Sequence, residues 1–289
     1  AIDPLPGARE WRKFFGELGT SGFSRNDLES NFVSAAEDYT AKEDILAGYL
    51  LGRYSSSDLL VIGGVRAERT RNRFVGNRVD INEDAETLAI SPVAFNRGYT
   101  DWLPSLTLRF TPAKDLVLRA GAFRSVLRPN LSDIAPRFVV EENEDGDREG
   151  AFGNPDLQPY QAWNFDASIE YYFARNAVVQ AGAFYKSINN FIVTARYNDD
   201  DAPYNGVFNG VAFTEADIPL NGENAKVKGF ELAYQQALDF LPGALDGLLI
   251  NLNYTFTDAK GRLAGDAGVP GRRISLPSSS KHTFNAVLG

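Results

Sequence analysis

The chain has 289 residues, of which 44% are hydrophobic, 12% aromatic and 23% charged, with a formal net charge of −9 at pH 7. This is too apolar for a disordered chain and too polar for a bundle of membrane helices, and the acidic balance speaks against nucleic acid as a partner, since phosphate-backbone binding rests on a surplus of Lys and Arg. Cysteine is absent and His282 is the single histidine, which excludes a disulfide framework, a thiolate or multi-histidine metal site and a thiol nucleophile.

The first segment, residues 1–43, is expected to be an extracellular loop feeding a first strand, with a possible short helix near Glu10–Leu18. With no signal peptide before Ala1 and no methionine, the chain is expected to be an excerpt of a longer protein. Ile45–Tyr54 is a candidate strand of ambiguous parity, and Leu59–Thr70 follows with Arg66 and Glu68 on its polar side. The longest apolar run, Leu59–Val65, is far short of the about 20 residues a membrane helix needs, so any membrane crossing must be made by strands.

Leu103–Phe110 and Leu116–Ser125 come next, carrying Arg109 and Arg119 on their polar faces. In Asn164–Phe173 the alternation has no exception: Phe165, Ala167, Ile169, Tyr171 and Phe173 fall on one face, and Asn164, Asp166, Ser168 and Glu170 on the other. Val178–Ser187 places Gln180 and Lys186 on its polar side, and Gly229–Gln235 places Glu231 there. Leu248–Thr257 alternates as strictly as Asn164–Phe173, and Thr283–Leu288 more weakly. Roughly nine strands result, most of them close to the length that a tilted membrane strand requires.

The connections alternate in length. Ser55–Ser57, Thr111–Asp115, Ala174–Asn176 and Leu238–Asp246 are short, whereas Arg71–Tyr99, Leu127–Trp163, Thr194–Ala225 and Asp258–Ser280 are long and polar. Short periplasmic turns opposite long extracellular loops are the plan of an outer-membrane barrel, and a soluble sandwich has no reason to adopt it. The fold class is therefore all-β: an antiparallel up-and-down transmembrane β-barrel, here incomplete, over residues 44–289. Charges on the lipid face of such a wall are costly, so Arg66, Glu68, Arg109, Arg119, Asp166, Glu170, Lys186 and Glu231 must point into the lumen. There they contact a ligand, or pair across strands and with a plug, and pairing is the commoner outcome. Aromatic residues near strand ends, among them Trp163, Tyr171, Phe173, Tyr185, Tyr254 and Phe256, read as interfacial girdles. The acidic runs Glu141–Asp147 and Asp199–Asp201 lack the spacing of a calcium loop and read as solvated loop.

The phrase Gly153-Asn154-Pro155-Asp156-Leu157-Gln158-Pro159-Tyr160 resembles the Gly-Asn-Pro-x-Leu-x-Pro element of TonB-dependent receptors. It leads into the strand ending Glu170-Tyr171-Tyr172-Phe173, and Phe184-Tyr185-Lys186, Val227-Lys228-Gly229-Phe230-Glu231 and Asn253-Tyr254-Thr255-Phe256-Thr257 follow in the family's order. Upstream, Tyr99-Thr100-Asp101-Trp102-Leu103-Pro104-Ser105 and Arg128-Pro129-Asn130-Leu131-Ser132-Asp133 match as well. Several matches resemble a branch that includes carbohydrate importers, with siderophore and cobalamin uptake left open. The resemblance implies a Gram-negative outer-membrane receptor that binds a scarce nutrient and works with a TonB-type energy-transducing protein through a plug. The plug and the final strands are expected to lie outside this segment, and outer-membrane lipid is the other expected partner. No enzyme activity, catalytic residue, metal or cofactor is expected. A passive porin and a soluble β-sandwich lectin are the rival readings.

Overall fold

The computed structural model describes residues 26–82, 86–143, 145–243, 246–262, 273–276 and 279–289, together with Lys13 and Gly16. Apart from Lys13 and Gly16, the expected helix near Glu10–Leu18 lies outside the described residues, as do Glu144 of the first acidic run and much of the Asp258–Ser280 connection. Among the described residues no helix is long and apolar enough to cross a membrane.

Among the described residues nine strands form the wall, in the order expected from the alternation. They are β1 (Thr40–Ser55), β2 (Leu59–Asn82), β3 (Thr87–Ala113), β4 (Leu116–Leu127), β7 (Tyr160–Ala174), β8 (Ala177–Asn189), β13 (Asn224–Leu238), β14 (Leu248–Arg262) and β16 (His282–Leu288). Each pairs antiparallel with the next, and the sheet curls into part of a barrel. β1 begins at Thr40, ahead of the expected boundary at residue 44, and is preceded by helix α1 (Asp27–Glu37), which Asn26 caps by accepting a hydrogen bond from the Glu29 amide.

The long connections are more ordered than loops. Arg71–Tyr99, expected as a loop, is a hairpin in which β2 and β3 stay paired from Leu59↔Phe110 up to Asn82↔Thr87. Between β4 and β7 lie a short helix α2 (Leu131–Ile134), β5 (Phe138–Glu142) and β6 (Arg148–Phe152); between β8 and β13 lie β9 (Ile192–Asn198), β10 (Val207–Phe208), β11 (Val211–Ala212) and β12 (Glu215–Asn221). β15 (Arg273–Ser275) pairs with the end of β14.

β5 runs parallel to β2 from Arg78↔Phe138 to Asn82↔Glu142, directly beyond the point where β1 stops at Thr40↔Val75. β6, β12 and β9 extend the sheet from β5, with β12 parallel to β6. These two parallel ladders depart from the expected all-antiparallel pairing and are confined to the outer layer. The buried core sits in that layer too. One face of the extension packs Phe138, Val140, Phe152, Ala216 and Ile218 against Phe208, Val211 and Phe213, while on the other α1 covers Val79, Ile81 and Val139 with Phe32 and Ala36.

Pro104, the second residue of the Leu103–Phe110 alternation, lies well inside β3. It has no N–H to donate, and the β3–β4 ladder stops beside it, at Ser105↔Phe123. Above that point the gap is filled by side chains: Arg124 donates to the Trp102 carbonyl, and Gln161 donates to Asp101 Oδ1 at 2.8 Å.

Candidate functional site

Residues paired across a ladder share a face of the sheet. Following partners from strand to strand therefore sorts every wall residue. Glu68↔Asp101, Leu60↔Arg109 and Arg109↔Arg119 lie on one face, joined by Arg119↔Ser168, Glu170↔Gln180, Asn164↔Lys186 and Gly182↔Glu231. Thus Arg66, Glu68, Arg109, Arg119, Asp166, Glu170, Lys186 and Glu231 share the polar, inner face. Val65↔Pro104, Leu106↔Ala122, Ile169↔Ala181, Leu232↔Tyr254 and Tyr254↔Phe284 define the outer, apolar face. The parity of β1 is settled by Leu50↔Val65 and Tyr54↔Val61, which put Leu46, Leu50 and Tyr54 outside.

Two groups of the inner residues are tied into the wall. Glu68, only 9% exposed, receives Arg66 Nε on Oε1 at 2.6 Å and Arg128 Nη2 on Oε2 at 2.7 Å. Arg128 also donates to Thr70 Oγ1 and lies 3.7 Å from Glu43, so the chain leaving β4 is held against β1 and β2. Glu170 accepts from Arg119 Nε at 2.6 Å and from the Tyr172 hydroxyl at 2.9 Å. Pairing of buried carboxylates offsets their desolvation, which is why Glu68 and Glu170 can be covered while charged.

Asp166, Lys186 and Glu231 have no ion-pair partner among the described residues. They line one hollow of about 650 Å3 with Asn164, Ser168 and Gln180, and Arg119 borders it. A second hollow, of about 210 Å3, lies between β3 and the Gly153–Pro159 segment, lined by Asn72, Tyr99, Asp101, Asp156, Gln158 and Gln161. Asp101 is 2% exposed, and its Oδ2 is buried without a hydrogen-bond partner. Asp101 and Arg128 escape the sequence reading of the wall. Extending the Leu103–Phe110 alternation by one step would have placed Asp101 on the inner face, whereas Arg128 follows the last residue of β4 and carries no periodic signal.

Gly153, Asn154, Pro155, Leu157 and Pro159 prove to be a joint between the outer loops. A Cβ on Gly153 would stand 1.9 Å from the Ala135 carbonyl oxygen, so only glycine fits. The Asn154 side chain donates to the Pro219 carbonyl at 2.9 Å and accepts from the Asp156 amide at 2.9 Å. Leu157 packs on Phe74 and Ile134. The Gln158 amide donates to Asn221 Oδ1, and Asn221 Nδ2 donates to the Gln158 and Asn190 carbonyls. Arg97 pairs with Asp156.

The outer layer has its own charge pairs. Arg148 bridges Asp80 at 2.6 Å and Glu142 at 3.0 Å, and the hydrogen bond it donates to Asp80 raises its affinity for the proton further. Arg196 Nε and Nη2 each lie 3.0 Å from the Asp217 carboxylate, holding Asp217 below the ordinary carboxylate range. Burial pushes the Tyr204 phenol up, where it meets Tyr197 and Phe208 edge-on.

The aromatic residues expected as girdles all lie on the outer face. Trp163 stacks on Phe165, which meets Tyr185, at one level; Phe173 contacts Tyr171 and stacks on Tyr234 at another, nearer the short turns. Tyr254 and Phe256 flank Phe230. An apolar face bounded by two aromatic belts, backed by a polar face, suits a wall with lipid outside and water inside.

Over residues 5–289 the chain matches the family described as TonB dependent receptor-like, beta-barrel. It is similar in structure to the hemophore receptor HasR of Serratia marcescens, with a TM-score of 0.55 and 15% identity, covering 84% of this chain and 39% of that one. The alcaligin outer membrane receptor FauA of Bordetella pertussis gives a TM-score of 0.48 and 16% identity, covering 85% of this chain and 34% of that one. The chain thus spans less than half the length of these solved receptors. No curated protein sequence matches it.

Proposed function

The chain belongs to the TonB-dependent receptor β-barrel family of the outer membrane, and on that premise we propose that the intact protein binds a scarce nutrient at its outer surface and admits it to the periplasm. The present segment supplies wall and outer loops; movement of the cargo falls to a plug and to the energy-transducing partner that acts on it. The family is one of receptors and transporters, and in this reading no bond of the cargo is made or broken. The observation that carries the proposal is the hollow whose charged groups Asp166, Lys186 and Glu231 are left unpaired beneath an ordered outer layer. Groups left without an ion-pair partner on a wet inner face are available to a ligand or plug, unlike the paired Glu68 and Glu170.

The lining favours a cargo that both donates and accepts hydrogen bonds. Gln158, Gln161 and Asp156 offer amide and carboxylate groups to the smaller hollow, which suits a hydroxyl-bearing cargo such as a carbohydrate; a siderophore is the alternative. The test is growth of a strain lacking the intact receptor on single limiting carbon or iron sources. Loss of growth on one source, restored by the receptor but not by one carrying Asp166→Asn, Lys186→Gln and Glu231→Gln, is the expected result. Uptake that persists when the energy-transducing partner is removed would make the protein a passive channel instead.

A further inference from the structure

We infer that Asn209 is a modification site at which the chain acts on itself: the Gly210 amide nitrogen turns the Asn209 side-chain amide into a carboxylate and so sets an anion beside Arg78. Glycine has no Cβ to screen its nitrogen, which makes Asn-Gly the step most open to this attack. The chain holds three such steps, Asn205-Gly206, Asn209-Gly210 and Asn221-Gly222, all between β8 and β13, and the fold treats them differently.

Asn221 is held on every side. Its amide group donates to the Gln158 and Asn190 carbonyls, its Oδ1 accepts from the Gln158 amide, and the Gly222 amide donates to the Phe191 carbonyl at 2.6 Å. Attack there requires the β12–β9 ladder to part, since Asn221 pairs with Ile192 in it. Gly206 is buried, with its carbonyl accepting from the Phe213 amide at 2.8 Å, so the Asn205 step is hemmed in too. Asn209 and Gly210, by contrast, are exposed at the tip of the β10–β11 hairpin, both with positive φ. Neither the Asn209 side chain nor the Gly210 amide has a hydrogen-bond partner among the described residues. Only the rungs Val207↔Ala212 and Phe208↔Val211 close this hairpin, which forms a sheet of its own, so its turn opens at small cost.

The Gly210 nitrogen, its proton lost to hydroxide, attacks Asn209 Cγ; the Cγ–Nδ2 bond breaks, ammonia leaves and a cyclic imide closes. Water then opens the ring at either carbonyl, so the net change is water taken up and ammonia released. Arg78 stands ready for the product. Its Nη2 already donates to the Asn209 carbonyl at 2.7 Å, its Nε is buried without a partner, and no carboxylate pairs with it among the described residues. Opening at Cγ leaves a side-chain carboxylate within reach of the guanidinium. Opening at the backbone carbonyl makes that carbonyl the carboxylate and routes the chain through the side chain. Either way an ion pair replaces a neutral contact, fastening the hairpin that packs Phe208 and Val211 into the outer core.

The intact receptor, purified in detergent, would be held at mildly alkaline pH, cleaved after Glu215 to separate Asn209 from Asn221, and its peptides fragmented in a mass spectrometer. Asn209 is expected to gain one mass unit about tenfold or more faster than Asn221, as the lower cost of opening its turn dictates, and faster still as pH rises. In denatured receptor the three steps should react alike, and Asn209→Gln should remove the gain at that position. Isoaspartyl methyltransferase should label the product at the turn. Asn209→Asp should slow proteolysis of the β10–β11 hairpin, but not when made in an Arg78→Gln background. Equal rates at Asn209 and Asn221 in folded receptor would overturn the site, and an Asn209→Asp effect indifferent to Arg78 would overturn the role given to its product. None of these readouts involves the imported nutrient, so the nutrient reading stands or falls separately.

Discussion

Glu68 and Asp101 face each other directly across the β2–β3 ladder, two carboxylates on the same inner face with different neighbours. Both oxygens of Glu68 receive a guanidinium, whereas Asp101 receives only the Gln161 amide on one oxygen. Arg128 therefore answers Glu68 while standing at the start of the loop that crosses to β5. Replacing it with methionine should destabilise the receptor by about 1–3 kcal/mol, because a covered carboxylate loses a partner. Denaturant unfolding measures this, and a Glu68→Gln, Arg128→Met double variant should recover part of the loss.

The Gly153–Pro159 joint makes a different prediction. Gly153→Ala and Asn154→Ala should loosen the outer layer by about 1–3 kcal/mol each while leaving the wall intact, since the contacts they remove lie between loops. Limited proteolysis should cut the β4–β7 and β8–β13 connections faster, with the melting of the whole receptor little changed. A parallel fall in whole-receptor stability would contradict a loop-only role.

Acid should act on the outer layer through Asp217. Arg196 lowers the folded-state proton affinity of Asp217 below its ordinary value of 3.8, so the pair stabilises at neutral pH; that contribution declines as pH drops below the ordinary value and is gone once it passes the lower folded one. Asp217 is 45% exposed, which keeps the effect small and salt-sensitive. Protease resistance of the β9–β12 region should fall at acid pH in the unaltered receptor, and Asp217→Asn should flatten that dependence.

Orientation of the wall can be checked at adjacent positions. Leu232 faces outward opposite Tyr254, and Ala233 inward opposite Asn253. An arginine at 232 should cost about 2–4 kcal/mol, the expense of a cation among acyl chains, whereas one at 233 should be tolerated far better. Equal losses at the two positions would contradict the assignment of lipid to the Leu232 face.

The nine wall strands were legible because lipid on one side and water on the other write the period-two pattern directly into Asn164–Phe173 and Leu248–Thr257. That pattern disappears above the lipid, and with it the visibility of the upper halves of β2 and β3. There Arg69, Arg71 and Arg73 replace outward apolar residues, and farther up Val79 and Ile81 lie outward again but under α1. A sheet covered on both faces has no alternation to read. β5, β6 and β12 were hidden for the same reason, and the parallel ladders bring together segments far apart in sequence. The eight candidates share one face of the sheet, but periodicity could not tell Glu68 and Glu170, engaged by arginine, from Asp166, Lys186 and Glu231.

β5 occupies the place beside β2 that β1 vacates at Val75, and β6 and β12 hang from it in turn. Segments from separate surface excursions are thereby locked into a single hydrogen-bonded register. Insertions or antigenic drift within those ladders in one excursion would have to be matched in the other, so independent variation should concentrate at tips such as Asp199–Asp201 and Asn143–Asp147. Grafting a foreign epitope at those tips should leave assembly undisturbed, whereas transplanting one excursion alone from a distant relative should not.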